Sequence, residues 1–247
     1  MPAWTGEEMI LYGGYSSGGG LAWGGARYRP EDDVWLPMST EGGPGRRIDH
    51  AVVWTGDELL VWGGATVDDP TWEYGLFDPF SYPHQFVGRM LNDGYRYDPA
   101  VDTWSPMATA GAPPPQYFMH AVWTGEEMWV FDGRDPTDDG FIVEGGRYDP
   151  VADTWEPFSG PFQSGGTALW TGAEVLVWGG RDRRFLLDAP GARYDLQTDR
   201  WERIPQRNGP SRDLYSSTVV WSGEEMIVWG GVLSDSETNR GWAYTPP

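Results

Sequence analysis

The chain from Ala51 to Gly64 reads AVVWTGDELLVWGG: an apolar run ending in Trp, a polar Thr-Gly-acid turn, a second apolar run, then a glycine pair. Close copies begin at Pro2 (PAWTGEEMILYGG), Ala121 (AVWTGEEMWVFDG), Ala168 (ALWTGAEVLVWGG) and Thr218 (TVVWSGEEMIVWGG). Runs this short, bounded by Gly, Pro, Asp and Asn, predict strands joined by tight turns. No segment sustains the spacing of an amphipathic helix.

The anchor residues Trp4, Trp54, Trp123, Trp170 and Trp221 lie 50, 69, 47 and 51 residues apart. One unit is therefore about fifty residues long, with an insertion of about twenty in the second. A full unit holds four apolar runs. The third reads GGARYRP, DGYRYDP, GGRYDP, GARYDL or GWAYTPP, and the fourth centres on Trp35, Trp104, Trp155 or Trp201, seven residues after the Tyr of the third. These features together resemble the kelch repeat. The resemblance covers nearly the whole chain and implies an all-β fold: a β-propeller of five kelch-type four-stranded blades, the last lacking its outer strand, because no fourth-run Trp follows GWAYTPP. One domain over 1–247 is expected, with repeats at about 1–38, 50–107, 120–158, 167–204 and 217–247, and with the five blades closing on themselves. A segment of a larger ring is the alternative. The glycine pair is expected to admit an aromatic ring from another strand, and Asp-Pro to turn the chain between strands three and four.

Antiparallel strands sort the connections onto two faces. The turns between strands one and two, and three and four, share one face and carry nearly half of the 37 acidic residues, from Glu7 and Glu8 to Asp195 and Asp199. They are expected to be turn-forming and solvated rather than ligand-binding, since Asp favours turns through local hydrogen bonds. The loops between strands two and three, and the lead-in to each blade, share the opposite face. These segments are irregular, and binding residues concentrate on irregular loops.

Composition narrows the function. A net charge of −20 opposes binding to nucleic acid or anionic membranes. There is no cysteine, hence no disulfide and no thiolate nucleophile or metal ligand. No apolar run is long enough to span a bilayer, and the N-terminus has no signal-peptide pattern, so a soluble chain of undetermined compartment is expected. The resemblance includes copper-radical oxidases of the galactose-oxidase type, whose Tyr–Cys cross-link this chain cannot form, and sialic-acid mutarotases, which need no Cys. No cofactor and no metal site is expected.

Candidate binding residues fall on the irregular face. Arg47 and His50 stand seven and four residues before Trp54, a pair that only the second repeat keeps; hydrogen bonds tying adjacent blades would equally explain it. His120 alternates to the opposite side and is not expected to share a metal with His50. The long second-repeat loop brings Trp72 and His84 among many aromatics, as a structural cap or as one wall of a site. Asp132 replaces a glycine of the pair, and Arg134 follows it. With Arg47, Arg134, Arg181, Arg184 and Arg212 on one face, a carboxylate or acidic sugar would find partners there; ion pairing among the blades is the plainer reading. The expected function is an interaction module that takes a protein partner or a small carbohydrate or carboxylate ligand. The alternatives are an enzyme on a small sugar or sugar acid, with His50 or His84 moving the proton, and a structural segment of a larger extracellular protein.

Overall fold

The structure is a computed structural model that describes residues 2–15, 21–66, 88–135, 140–142, 144–161, 163–164, 166–179, 181–182, 191–205, 217–233 and 236–247. Among them there is no helix. Five antiparallel sheets follow the five repeats. Blade 1 is Ala3–Trp4, Met9–Tyr12, Gly25–Arg29 and Val34–Pro37. Blade 2 is Ala51–Trp54, Leu59–Trp62, Gly94–Asp98 and Thr103–Pro106. Blade 3 is His120–Trp123, Met128–Phe131, Glu144–Asp149 and Thr154–Ser159. Blade 4 is Thr167–Trp170, Glu174–Trp178, Ala192–Asp195 and Arg200–Arg203. Blade 5 has three strands, Thr218–Trp221, Met226–Trp229 and Gly241–Tyr244. Each sheet runs first strand to last in chain order. This is the blade architecture of a β-propeller, with the short last blade that the sequence predicts. Two compact units divide the chain, Met1–Phe158 and Ser159–Pro247.

Turn chemistry explains why the repeats fold alike. In each first turn a hydroxyl accepts two backbone N–H groups: Thr55 Oγ1 takes Asp57 N at 3.2 Å and Glu58 N at 2.9 Å, and Thr5, Thr124, Thr171 and Ser222 do the same. In the turn between strands three and four the last Asp adopts a left-handed backbone, at Asp33, Asp102, Asp153 and Asp199, a conformation Asp tolerates better than most residues. Its carboxylate accepts the hydroxyl of the strand-three Tyr: Tyr28, Tyr97, Tyr148 and Tyr194. Many of the acids on this face are thus structural, as expected.

Blades stack through alternate side chains. Ala3, Ile10, Tyr12 and Met38 of blade 1 pack on Val52, Leu59, Val61, Tyr97 and Trp104 of blade 2. The opposite face of blade 2, Ala51, Val53, Leu60, Trp62 and Met107, packs on Met128, Val130, Tyr148 and Trp155 of blade 3. In the second unit, Leu176, Trp178 and Ile204 of blade 4 meet Val219, Met226 and Val228 of blade 5. Burying each large side chain contributes about 2–3 kcal/mol. Polar ties repeat alongside. Trp104 Nε1 donates to Ser39 O at 2.8 Å and Trp155 Nε1 to Ala108 O at 2.9 Å, while Asp102 and Asp153 accept Ser39 N and Ala108 N.

One expectation changes. The glycine that admits an aromatic ring is not in the pair after strand two; it opens strand three. A Cβ on Gly94 would lie 2.3 Å from Trp62 Cε3, and one on Gly191 2.5 Å from Trp178 Cε3. The pair serves another need. Its first residue is left-handed in every blade, at Gly13, Gly63, Asp132, Gly179 and Gly230. Its second, as at Gly64, lets the lead-in backbone approach, since a Cβ there would lie 2.4 Å from Ile48 O.

Candidate functional site

The lead-ins and the strand two-to-three loops do share a face. Ile48 and Ala65 exchange backbone hydrogen bonds, N to O at 3.0 and 2.9 Å; Tyr117 and Arg134 do likewise at 3.3 and 2.8 Å. In the second unit Ser164 pairs with Arg181. Neighbouring lead-ins are also joined: Phe118 N donates to Asp49 O at 3.1 Å, and both residues hold left-handed backbones. In the first unit the apolar floor of this face is Leu21, Ile48, Ala65 and Tyr117.

Arg47 does not reach the surface of that face. It is 1% exposed, and its guanidinium turns into blade 2, where Nη1 donates to Gly63 O at 3.1 Å and to Asp93 O at 3.3 Å. Nη2 pairs with Asp93 Oδ1 at 3.2 Å. Its own carbonyl accepts Gly14 N of blade 1 at 3.1 Å. One residue thereby links blade 1 and blade 2.

His50 is buried edge-on against Tyr12, ring centroids 5.9 Å apart. Burial foremost, with the Arg47 charge beside it, pushes its pKa down to about 3. A ring that stays neutral and enclosed is a poor proton carrier near neutral pH. His120 is buried separately, against Phe131. Asp132 is buried in the left-handed turn after strand two. The next residue, Gly133, donates its N–H to Gln116 Oε1 at 2.9 Å, so here a side chain fills the lead-in contact. Trp72, His84, Arg184 and Arg212 lie outside the described residues, and Arg181 is placed by its backbone alone.

What the face does present is aromatic. Tyr15, Trp23 and Phe118 are 48–66% exposed. Arg46 stacks over Trp23 at 4.4 Å and Arg134 over Phe118 at 5.9 Å. Between these pairs lies Asp49, half-buried, whose carboxyl is pushed up to about 6, mainly by burial; its charge in turn helps raise the Tyr15 phenol. Sequence reasoning picked Arg134 but missed Tyr15, Trp23, Arg46, Asp49 and Phe118. Asp49 and Phe118 occupy the same place in their lead-ins, five residues before Trp54 and Trp123, and that shared offset was a usable signal. Among the described residues no group of three His, Asp or Glu is placed to hold a metal ion, and no helix is long and apolar enough to cross a membrane.

No family model matches the chain. An F-box/kelch-repeat protein of Arabidopsis thaliana is 30% identical over 132 residues, 52% of this chain and 31% of that protein. The aligned part thus spans about a third of the relative's length. Repeat pattern and sheet topology concur: the chain folds as the blades of a β-propeller, and its repeats are similar to those of a kelch-repeat protein.

Proposed function

We propose that the protein is an interaction module and that it binds a protein partner on the face of the lead-ins and strand two-to-three loops of its first unit. The observation that carries this reading is the row Trp23, Tyr15, Phe118: three exposed aromatic rings on one face, two of them carrying a stacked arginine. Large aromatics and arginine are the residues that dominate binding energy at protein interfaces, because they bury much area at small conformational cost. The opposite face offers less. Several of its acids are engaged within the fold, as in Arg96 with Glu58 at 2.6 Å and Arg193 with Glu174 at 3.1 Å. The second-repeat loop with Trp72 and His84 belongs to the proposed surface by its place in the sequence, and Arg181, Arg184 and Arg212 belong to the corresponding face of the second unit by theirs.

The test is a peptide-display selection against the whole chain, followed by affinity measurement on the selected peptides. Trp23→Ala and Phe118→Ala each weaken binding at least tenfold, about 1.4 kcal/mol or more. Trp35→Ala, on the first blade's outer strand, leaves it unchanged. Peptides that bind all three variants as they bind the parent would place the working surface elsewhere.

One observation favours a second reading, an enzyme on a small sugar or sugar acid. Asp49, with its raised pKa and partial exposure beside Tyr15, has the properties of a general base, and Arg134 could hold an anion. A saturable thermal shift with a sugar acid, lost in Arg134→Ala, would support it over the protein-binding reading.

A further inference from the structure

The half-buried acids of the first unit are held by partners within the fold, with one exception. Glu8 pairs with Arg29 at 2.8 Å, Glu58 with Arg96 at 2.6 Å and Asp93 with Arg47 at 3.2 Å, and Asp102 accepts the Tyr97 hydroxyl at 2.6 Å. The exception is Asp49. It is half-buried, yet among the described residues no side chain forms an ion pair with its carboxylate and no group donates a hydrogen bond to it. Burial raises its pKa, and the chain's amino terminus opposes that rise by less. A charge held this way costs the fold stability. The backbone does not ask for it, since the left-handed conformation at Asp49 suits Asn or Gly as well.

Two exposed rings flank this carboxylate. Gly14 N donates to Arg47 O at 3.1 Å, which brings Tyr15 beside Asp49 from blade 1; the Asp49 charge reaches the Tyr15 phenol. Phe118 N donates to Asp49 O at 3.1 Å, which brings Phe118 from blade 3. Tyr15 is 57% exposed and Phe118 48%. A lysine or arginine side chain has both parts that such an arrangement takes: an aliphatic stem that packs on aromatic rings, and a charged head for the carboxylate. A partner without a cation here would cover Asp49 and leave it unpaired, which counts against that partner. The net charge of −20 favours a basic partner at longer range.

We infer that Asp49 determines the partner's chemistry on this face: it pairs with one lysine or arginine side chain of the partner, whose stem lies against Tyr15 and Phe118. The inference rests on the reading of this face as a protein-binding surface, and adds which residue the partner presents there.

Random peptides selected by display against the whole chain test it. The selected peptides should share a basic residue at one position, and the selection itself shows whether lysine or arginine fills it. At pH 7 their binding should fall about tenfold or more in Asp49→Asn, as it does in Trp23→Ala and Phe118→Ala. Asn keeps the shape and removes a destabilising charge, so this loss is not unfolding. Glu126→Gln removes an exposed charge from the turn between strands one and two, on the opposite face, and leaves binding unchanged; that separates a local pair from attraction by net charge. Replacing the peptide's basic residue by Gln weakens binding to the parent and makes no difference to Asp49→Asn. Between pH 7 and 5 the Tyr15 phenol stays protonated, the adjoining His50 stays neutral and the amino terminus stays charged, so Asp49 is the group that titrates. Parent affinity should fall about tenfold over that range relative to Asp49→Asn, because the ion pair needs the ionised carboxylate. Peptides that need Trp23 and Phe118 but carry no basic residue, bind Asp49→Asn as they bind the parent, or show the same pH profile with both overturn the inference and leave the protein-binding reading standing. Failure to select any peptide that needs Trp23 and Phe118 overturns both.

Discussion

Arg47→Ala lowers the unfolding free energy by about 3 kcal/mol and the melting temperature by about 10 °C. The guanidinium is enclosed and donates to two carbonyls, Gly63 O and Asp93 O, while pairing with the Asp93 carboxylate. Truncation takes the charged donor from both carbonyls, although Asp93 O still accepts Gly63 N at 2.9 Å, and opens a cavity in an enclosed site; unmade hydrogen bonds to a charged group alone cost about 1.5–3 kcal/mol. Arg47→Lys recovers only part of the loss, since a single ammonium cannot serve divergent acceptors as a planar fork does. Thermal unfolding of the variants checks this. A melting temperature within a degree or so of the parent would mean that Arg47 is held for a ligand and not for the fold.

Asp49→Asn acts in the other direction, and only above mildly acidic pH. Burial raises the folded-state pKa from 3.8 to about 6. Below pH about 3.8 the carboxyl is protonated in both folded and unfolded chains, and its ionisation has no effect on stability. As pH rises from there towards 6, the unfolded chain releases its proton first, so stability attributable to this group is progressively lost; above about 6 the loss is complete. Asn keeps the shape, tolerates the left-handed backbone at this position and has no charge to desolvate. The variant is therefore more stable than the parent by about 1–2 kcal/mol at pH 7.5, the partial exposure of the group having screened the larger effect. The gain falls to a small fraction of this by pH 4. Denaturant unfolding at the two pH values checks both halves. A gain that is equal at both would locate the cause in packing instead of ionisation. The cost that Asp49 imposes on the fold is the physical reason to look for a role for it on the binding face, since destabilising groups tend to persist where they serve function.

The blades were legible in the sequence because signals recur from unit to unit: the short apolar run of strand two, the hydroxyl-Gly-acid turn and, in the first four units, the fixed interval from Tyr to Trp. Each has a local cause, a turn hydrogen bond or a side-chain period, and local causes are written in neighbouring residues. The role of the glycine pair was harder, since it depends on a backbone from the lead-in, as Gly64 depends on Ile48. The exposed aromatic row was harder still. Asp49 tolerates a left-handed backbone but Phe118 does not favour one, and their shared offset before Trp54 and Trp123 gains meaning only beside the tertiary pairing of Ile48 with Ala65 and Tyr117 with Arg134. Arg47 and Arg134 look alike as letters, yet one is consumed by carbonyls of blade 2 and the other lies over an exposed ring. That difference is set by which chain segment crosses above each residue, and no single segment records it.

Everything rests on the register that turns some tryptophans between blades and leaves Trp23 on the open face. Oxidative footprinting of the indoles in dilute native protein, read residue by residue by mass spectrometry, measures this directly. Trp23 should be modified rapidly, with Trp62, Trp104 and Trp155 protected until the protein unfolds. If Trp62 and Trp104 react as fast as Trp23, the blades do not stack as described, and the binding face built on that stacking falls with them.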